Sequence, residues 1–366
     1  MALSQEELTA IAYQISERFE KVNTFYLMKM AKQMKEIGQL SPSNLHRIEQ
    51  MIKMSQNIEE INLFLAKQTN FALEDIYRLY EKSGIELYKD VAYLYDARGV
   101  NQVPFSKNVQ IQNYIRSIQN LTKGTFQNMA NTTVISSSYR DVIDLGITKV
   151  SEGVEDYYSA IRDILKSTAT TGMRVQYSSG YTRRLDSAVR MNILEGVRQI
   201  NYGIRKECGN QYGADGVEID AHSLCAEDHL PYQGKQYSLK RYNAINDNLR
   251  RQFGTCNCQH GISYIILGVS SPTYSKEELK GMQDYSTEKI QIGDKEVTRY
   301  EASQLMRKLE TQMRYKKDEI ITLRTAGCDY KKESQRLRDL QKQYNVVSKA
   351  SGLKKRYERA YVPGFK

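Results

Sequence analysis

Hydrophobic positions in the first third of the chain follow a helical rhythm. Leu8, Ile11, Ile15, Phe19 and Val22 recur at steps of three and four, the spacing that gathers side chains on one face of a helix. Ser41-Pro42 predicts a second start. Serine can cap free N–H groups there, and proline at the first helical position gives up an N–H that has no helical partner. Leu45, Ile48 and Ile52, then Ile58, Ile61 and Leu65, continue the period, and Asn70 reads as the cap of a third helix carrying Leu73, Ile76 and Leu79. Residues 1–130 are therefore expected to form a helical domain with a break near 101–104.

From 131 to 205 the pattern stays mainly helical, punctuated by Gly153, Gly172 and Gly180, with a loop at Ser178-Ser179-Gly180. The rhythm changes between 206 and 272, where glycines are dense and short apolar runs such as 262–267 predict strands. After Pro272 the helical period returns. Leu305, Leu309, Met313, Ile320 and Leu323 mark one helix, Gly327 a break, and Leu337, Leu340, Tyr344 and Val347 a second helix, together a helical hairpin. The expected fold is mainly α with a small α+β core, in three parts: an N-terminal helical domain (1–130), a core (131–293) and a basic helical hairpin (294–366).

Composition adds three constraints. With 40% apolar and 26% charged residues, the chain is an ordinary globular one, and its 366 residues suit two or three domains. No apolar run is long enough to span a membrane, and the first residues lack the pattern of a secretory signal. The five cysteines fit no disulfide scaffold and are expected to remain thiols. Tyrosine is abundant (27, against 8 Phe and no Trp), which suits either half-buried partner surfaces or cores in which Tyr replaces Phe.

Charge is informative by location. Residues 294–366 hold 19 Lys or Arg and 10 Asp or Glu, so nearly all of the net +10 resides there. Such a segment either meets an acidic partner, DNA included, or is a solvated helical face.

Three of the four histidines and three of the five cysteines fall between 222 and 260. The spacing of His222, Cys225 and His229 would align them on one helical face, and Cys256, Cys258 and His260 alternate as on one face of a strand. Nitrogen and sulfur donors on two such faces can close a tetrahedral zinc site. The alternative is a set of buried polar groups that satisfy one another.

Several runs carry a family resemblance: 180–190 (GYTRRLDSAVR), 218–222 (EIDAH), His229 with Gln233-Gly234 and Tyr237-Ser238, and Asn257-Cys258-Gln259-His260. Farther on come Tyr300-Glu301-Ala302-Ser303-Gln304 with Arg307, Glu310, Arg314 and Lys317. In order and spacing these resemble phage minor capsid protein 2, a family related to portal-associated head-morphogenesis proteins. The match is good from about 150 to 320 and only general in the N-terminal helices. The family commonly has a small residue where Cys225 stands, and Cys256 is additional, so the matched set is His222, His229, Cys258 and His260.

The resemblance implies a low-copy virion protein made in the host cytoplasm. It would associate with the portal and other head proteins, without an established reaction; structural zinc, the one cofactor in view, rests on the Cys/His spacing alone. Residues 294–366 would give any DNA contact a sequence-independent character. A zinc-containing or Cys/His enzyme, or an effector delivered with the genome, is the competing class. Against it, the chain has no H-x-E with P-C-x-x-C of zinc deaminases, no P-loop and no HExxH.

Overall fold

A computed structural model describes residues 3–39, 44–152, 156–255 and 258–365. Helices dominate: α1 (Gln5–Ile37), α2 (Asn44–Asp90), α3 (Ala92–Arg98), α4 (Val109–Thr132), α5 (Ser136–Ser151), α6 (Tyr157–Thr171), α7 (Leu185–Tyr212), α8 (Leu239–Asn248), α9 (Lys276–Thr287), α10 (Arg299–Ala326) and α11 (Lys331–Ser351). Three small antiparallel sheets accompany them: β1 (Thr133–Val134), β2 (Arg174–Gln176) and β3 (Thr182–Arg184); β5 (Gln236–Ser238), β4 (Gly216–Ile219) and β6 (Ile262–Ile265), with β4 central; and the hairpin of β7 (Lys289–Ile292) and β8 (Lys295–Thr298). The fold is thus mainly α with small sheets. No helix among the described residues is long and apolar enough to cross a membrane.

The chain forms two compact units, each assembled from three separated segments. The first comprises Met1–Ala12, Glu74–Gly124 and Met191–Gln304; the second comprises Tyr13–Leu73, Thr125–Arg190 and Leu305–Lys366. Both draw on early, middle and late parts of the sequence.

The N-terminal stripe reads as expected: Leu8, Ile15, Phe19 and Val22 are all buried on α1. Two expectations change. Helix α2 passes through Asn70 without interruption. An Asn inside a helix costs only a fraction of a kcal/mol, roughly 0.7 at most, and the buried run Ile61, Leu65, Leu73 and Ile76 outweighs it. Leu45, Ile48 and Ile52, part of the same apolar period, are more than half exposed. Periodicity specifies a face of a helix, not what covers it. The Ser41-Pro42 cap lies outside the described residues. At the other end, α10 stops at Ala326 and α11 begins at Lys331, either side of Gly327.

The bulkiest of the fully buried side chains are tyrosines, including Tyr80, Tyr88, Tyr95, Tyr139 and Tyr344. Several buried hydroxyls find acceptors: Tyr139 donates to Gln33 Oε1 (3.1 Å), Tyr157 to the Met34 carbonyl (2.9 Å), Tyr88 to the Val103 carbonyl (2.6 Å) and Tyr212 to the Tyr264 carbonyl (2.7 Å). Tyr replaces Phe in these cores, and each of these hydroxyls is satisfied instead of stranded.

Candidate metal centre and a second buried cluster

The β5–β4–β6 sheet of the first unit positions the Cys/His residues. Because its strands are antiparallel, the end of β4 meets the starts of β5 and β6. His222 follows β4, His229 and Gln233 precede β5, and Cys258 and His260 precede β6, so all five reach one end of the sheet. Backbone bonds pin that end: the Gly234 N–H donates to the Ile219 carbonyl (2.7 Å) and the Asp220 N–H to the Gly261 carbonyl (2.9 Å). Two glycines permit it. Gly234 has φ +68, and a Cβ there would lie 2.1 Å from Leu279; a Cβ on Gly261 would lie 2.2 Å from Asp220 Oδ2.

The local conformation differs from the periodic one expected. Residues 222–234 form successive turns, not a helix, and 258–260 is irregular chain leading into β6. Pro231 has no N–H to give a helical ladder, and Leu224 sits at φ 60, which no helix tolerates. Cys256 lies outside the described residues.

Around the His260 ring two groups of donors assemble. On its Nδ1 side, His229 Nδ1 lies at 3.4 Å and Cys258 Sγ at 3.4 Å, with Cys258 Sγ 3.8 Å from His229 Nδ1. On its Nε2 side lie Cys225 Sγ at 3.4 Å and Gln233 Oε1 at 3.2 Å. His222 belongs to this second side, stacked at 4.4 Å between ring centroids. Within each trio, His229–Cys258–His260 and His222–Cys225–His260, the donor atoms lie within 4.8 Å of one another. Three of the four residues singled out from the sequence therefore share one trio. His222 falls outside that trio and groups with His260 and with Cys225, which the resemblance had set aside. Phe253, buried, stacks on His229 at 4.3 Å and covers the cluster.

Hydrogen bonds assign the protons. His229 Nε2 lies 2.7 Å from the Arg251 carbonyl, which can only accept, so Nε2 carries a hydrogen, and in the neutral ring Nδ1 keeps the lone pair. Gln233 Oε1 accepts the His222 backbone N–H at 3.1 Å, which identifies it as the amide oxygen. His260 Nε2 must then donate to that oxygen, leaving the lone pair on its Nδ1. Cys225 donates its S–H to the Ala226 carbonyl (3.2 Å).

The acidities add to this. Burial opposes a positive charge on His229, but Cys258 and the Arg251 carbonyl outweigh it and raise the ring's pKa. Burial, with the charges of Cys258 and Asp228 nearby, pushes the Cys225 thiol up to about 12. Burial also acts to raise Cys258, but the neighbouring His229 and backbone groups outweigh it and hold the thiol below its ordinary value. Burial and the neighbouring His222 and His229 push His260 down to about 3, so it is a neutral imidazole.

The second unit holds a different cluster, one that sequence reasoning missed. Arg184, on β3, donates to Asp318 Oδ2 at 2.9 Å and Asp186 Oδ1 at 3.3 Å, and reaches Glu20 Oε2 at 3.5 Å. Arg314 reaches Asp186 Oδ2 at 2.8 Å and Glu20 Oε1 at 3.3 Å. All five side chains are buried, and Arg184 lies over the Tyr315 ring at 4.7 Å. Three carboxylates face two guanidiniums. Burial and the nearby Asp186 push Glu20 up to about 8, and its oxygens accept no hydrogen bond among the described residues. At neutral pH Glu20 holds a proton; burial raises Asp318 as well, against the pull of Arg184 and Arg314. Burial opposes ionisation of Asp186 too, but Arg314 and Arg184 prevail and hold it well below the ordinary carboxylate range. Arg184, Asp186 and Arg314 come from two of the runs that carry the family resemblance. Nothing in those runs alone shows that they meet.

Compared with known proteins, the chain matches the family model described as "Phage minor capsid protein 2" over residues 3–346. No curated protein and no solved structure matches it.

Proposed function

The chain belongs to the phage minor capsid protein 2 family, and from that membership we propose that it is a low-copy virion component that associates with the portal at one capsid vertex and assists head assembly or genome delivery. One observation carries the reading: the match spans nearly the whole chain, helical N-terminal region included. The role assigned is structural, taken up in the host cytoplasm as heads are built. The stripe of Leu45, Ile48, Met51 and Ile52 offers such an assembly apolar surface to bury. Mass spectrometry of purified virions should find the chain at low copy number, and its absence would end the structural reading. Co-expression with the portal protein of the same phage should yield a complex that survives moderate salt; separate elution would remove the portal assignment while leaving the virion role.

A second reading, sequence-independent DNA contact, is supported by α11. That helix exposes Lys331, Lys332, Arg336, Arg338, Lys342 and Lys349. Deleting 294–366 would be a poor test, because it removes the buried Arg314 and Asp318. Replacing Lys331, Lys332, Arg336 and Lys342 with Glu leaves the core intact. DNA affinity should then drop and its salt dependence flatten, by about 0.9 in log–log slope for each phosphate that is no longer neutralised. Unchanged binding, or none in either protein, would make the helix a solvated face.

A further inference from the structure

We propose that His229 Nδ1, Cys258 Sγ and His260 Nδ1 bind one zinc ion, and that Cys225 and His222 do not. The argument starts from the protons. With both outer nitrogens committed as donors to carbonyl oxygens, His229 and His260 aim two lone pairs at each other across 3.4 Å, beside a cysteine sulfur. Two lone pairs at that distance repel unless a proton or a metal ion lies between them, and the sulfur of Cys258 beside both nitrogens completes a three-donor set that suits the metal. Zinc bonds of about 2.0–2.1 Å to nitrogen and 2.3 Å to sulfur, at tetrahedral angles, separate nitrogens by roughly 3.4 Å and nitrogen from sulfur by roughly 3.6 Å. The observed separations are 3.4, 3.4 and 3.8 Å.

The carbonyl acceptors at Arg251 and Gln233 are the outer partners that orient imidazole ligands in metal sites. A mixed imidazole–thiolate set favours zinc over magnesium or calcium, which take oxygen donors. The opposite side of His260 is less suited. Its Nε2 carries the hydrogen bonded to Gln233, and Cys225 keeps its proton for the Ala226 carbonyl. Binding replaces the Cys258 thiol proton, released to solvent, with the metal, so ligation should be weaker at low pH. Among the described residues the site has three protein ligands, and Cys258 is the least buried of them.

The test uses the full chain purified without added chelator. Elemental analysis should find close to one zinc per chain in the native protein and in Cys225→Ala, and little in Cys258→Ser or His229→Ala. After chelation, added cobalt(II) should give the strong visible bands of a tetrahedral thiolate site, kept in Cys225→Ala and lost in Cys258→Ser. Where Cys258→Ser fails to fold, alkylation of the native chain followed by mass spectrometry replaces it: zinc should slow modification of Cys258 at least tenfold and leave Cys225 unchanged. A folded native protein that carries no zinc and gives no cobalt spectrum overturns the proposal. So does metal that is lost in Cys225→Ala and retained in Cys258→Ser, or zinc protection confined to Cys225.

Discussion

In the first unit, five imidazole and thiol side chains (His222, Cys225, His229, Cys258 and His260) gather at one end of a sheet from a stretch of 39 residues. In the second, Glu20, Arg184, Asp186, Arg314 and Asp318 come from segments nearly 300 residues apart and gather two guanidiniums and three carboxyl groups, Glu20 protonated at neutral pH, in a buried site. The Cys/His cluster joins turns that have few apolar residues of their own, and a small module of that kind relies on a metal or a complete polar network to hold one structure. The charged cluster lies among helices already packed through Phe19, Val22, Met313 and Leu323. There it selects one arrangement of helices, since charges in an apolar interior are tolerated only when paired. One cluster builds its module; the other specifies a packing that apolar burial has already stabilised.

The harshest way to strain this comparison is Arg184→Met. It strands Asp186, Asp318 and Glu20 without one of their two cations, and should cost about 3–5 kcal/mol or prevent folding, as read by chemical denaturation. A loss under about 1 kcal/mol, the scale of an exposed ion pair, would mean that the charges are satisfied by other means.

His229→Ala comes next. The metal-free chain should lose about 1–3 kcal/mol, the cost of leaving buried hydrogen-bonding groups without partners, and the zinc-loaded chain more, because the metal-binding energy goes too. Equal losses in the two forms would reduce the cluster to hydrogen bonds alone.

Glu20→Gln sharpens the contrast from the opposite direction. The folded-state pKa of Glu20 is raised, so its contribution to stability is fully present below the unfolded value of 4.5 and is lost as pH rises through about 8. The native melting temperature should therefore fall between pH 6 and 9, and the variant should show a flatter profile with near-native stability at pH 6. Asp186 works in the other sense. Its lowered pKa supplies stability above the unfolded value of 3.8 that disappears as pH drops below it. Identical profiles for native protein and Glu20→Gln would show that Glu20 is already ionised.

The mildest change is Cys225→Ala, which removes a buried neutral thiol and should cost about 1 kcal/mol or less, within the ordinary range of single substitutions. A loss as large as that of His229→Ala would make the two sides of His260 equivalent.

How far each region could be read from the sequence follows from the same contrast. Helical stripes are local, so α1, α10 and α11 are legible in Leu8 to Val22, Leu305 to Leu323 and Leu337 to Val347. The Cys/His residues stand close enough in sequence to mark a site, but spacing suggested a helix and a strand where Pro231 and the positive φ of Leu224 impose turns. That error put His222 beside His229 and hid Gln233, whose amide oxygen sets the His260 tautomer. The signal for Cys225 was its His-x2-Cys spacing, set aside because the resemblance does not extend to it. The charged cluster had no local signal. Arg314 and Asp318 read as part of a solvated basic helix, and only the packed fold shows that they face Arg184, Asp186 and Glu20. The β7–β8 hairpin, two four-residue strands, is too short for alternation to stand out from the helical period around it.

Native-state hydrogen exchange, with and without a zinc chelator, tests the central contrast most directly. Chelation should deprotect amides across 216–265, most of all around His229, Gly234 and Ile262, and leave 13–37, 157–190 and 305–326 unchanged. Uniform deprotection of both units, or no change in 216–265 after the metal is stripped, would contradict the view that the Cys/His cluster holds its own module together while the charged cluster stands on a core already packed.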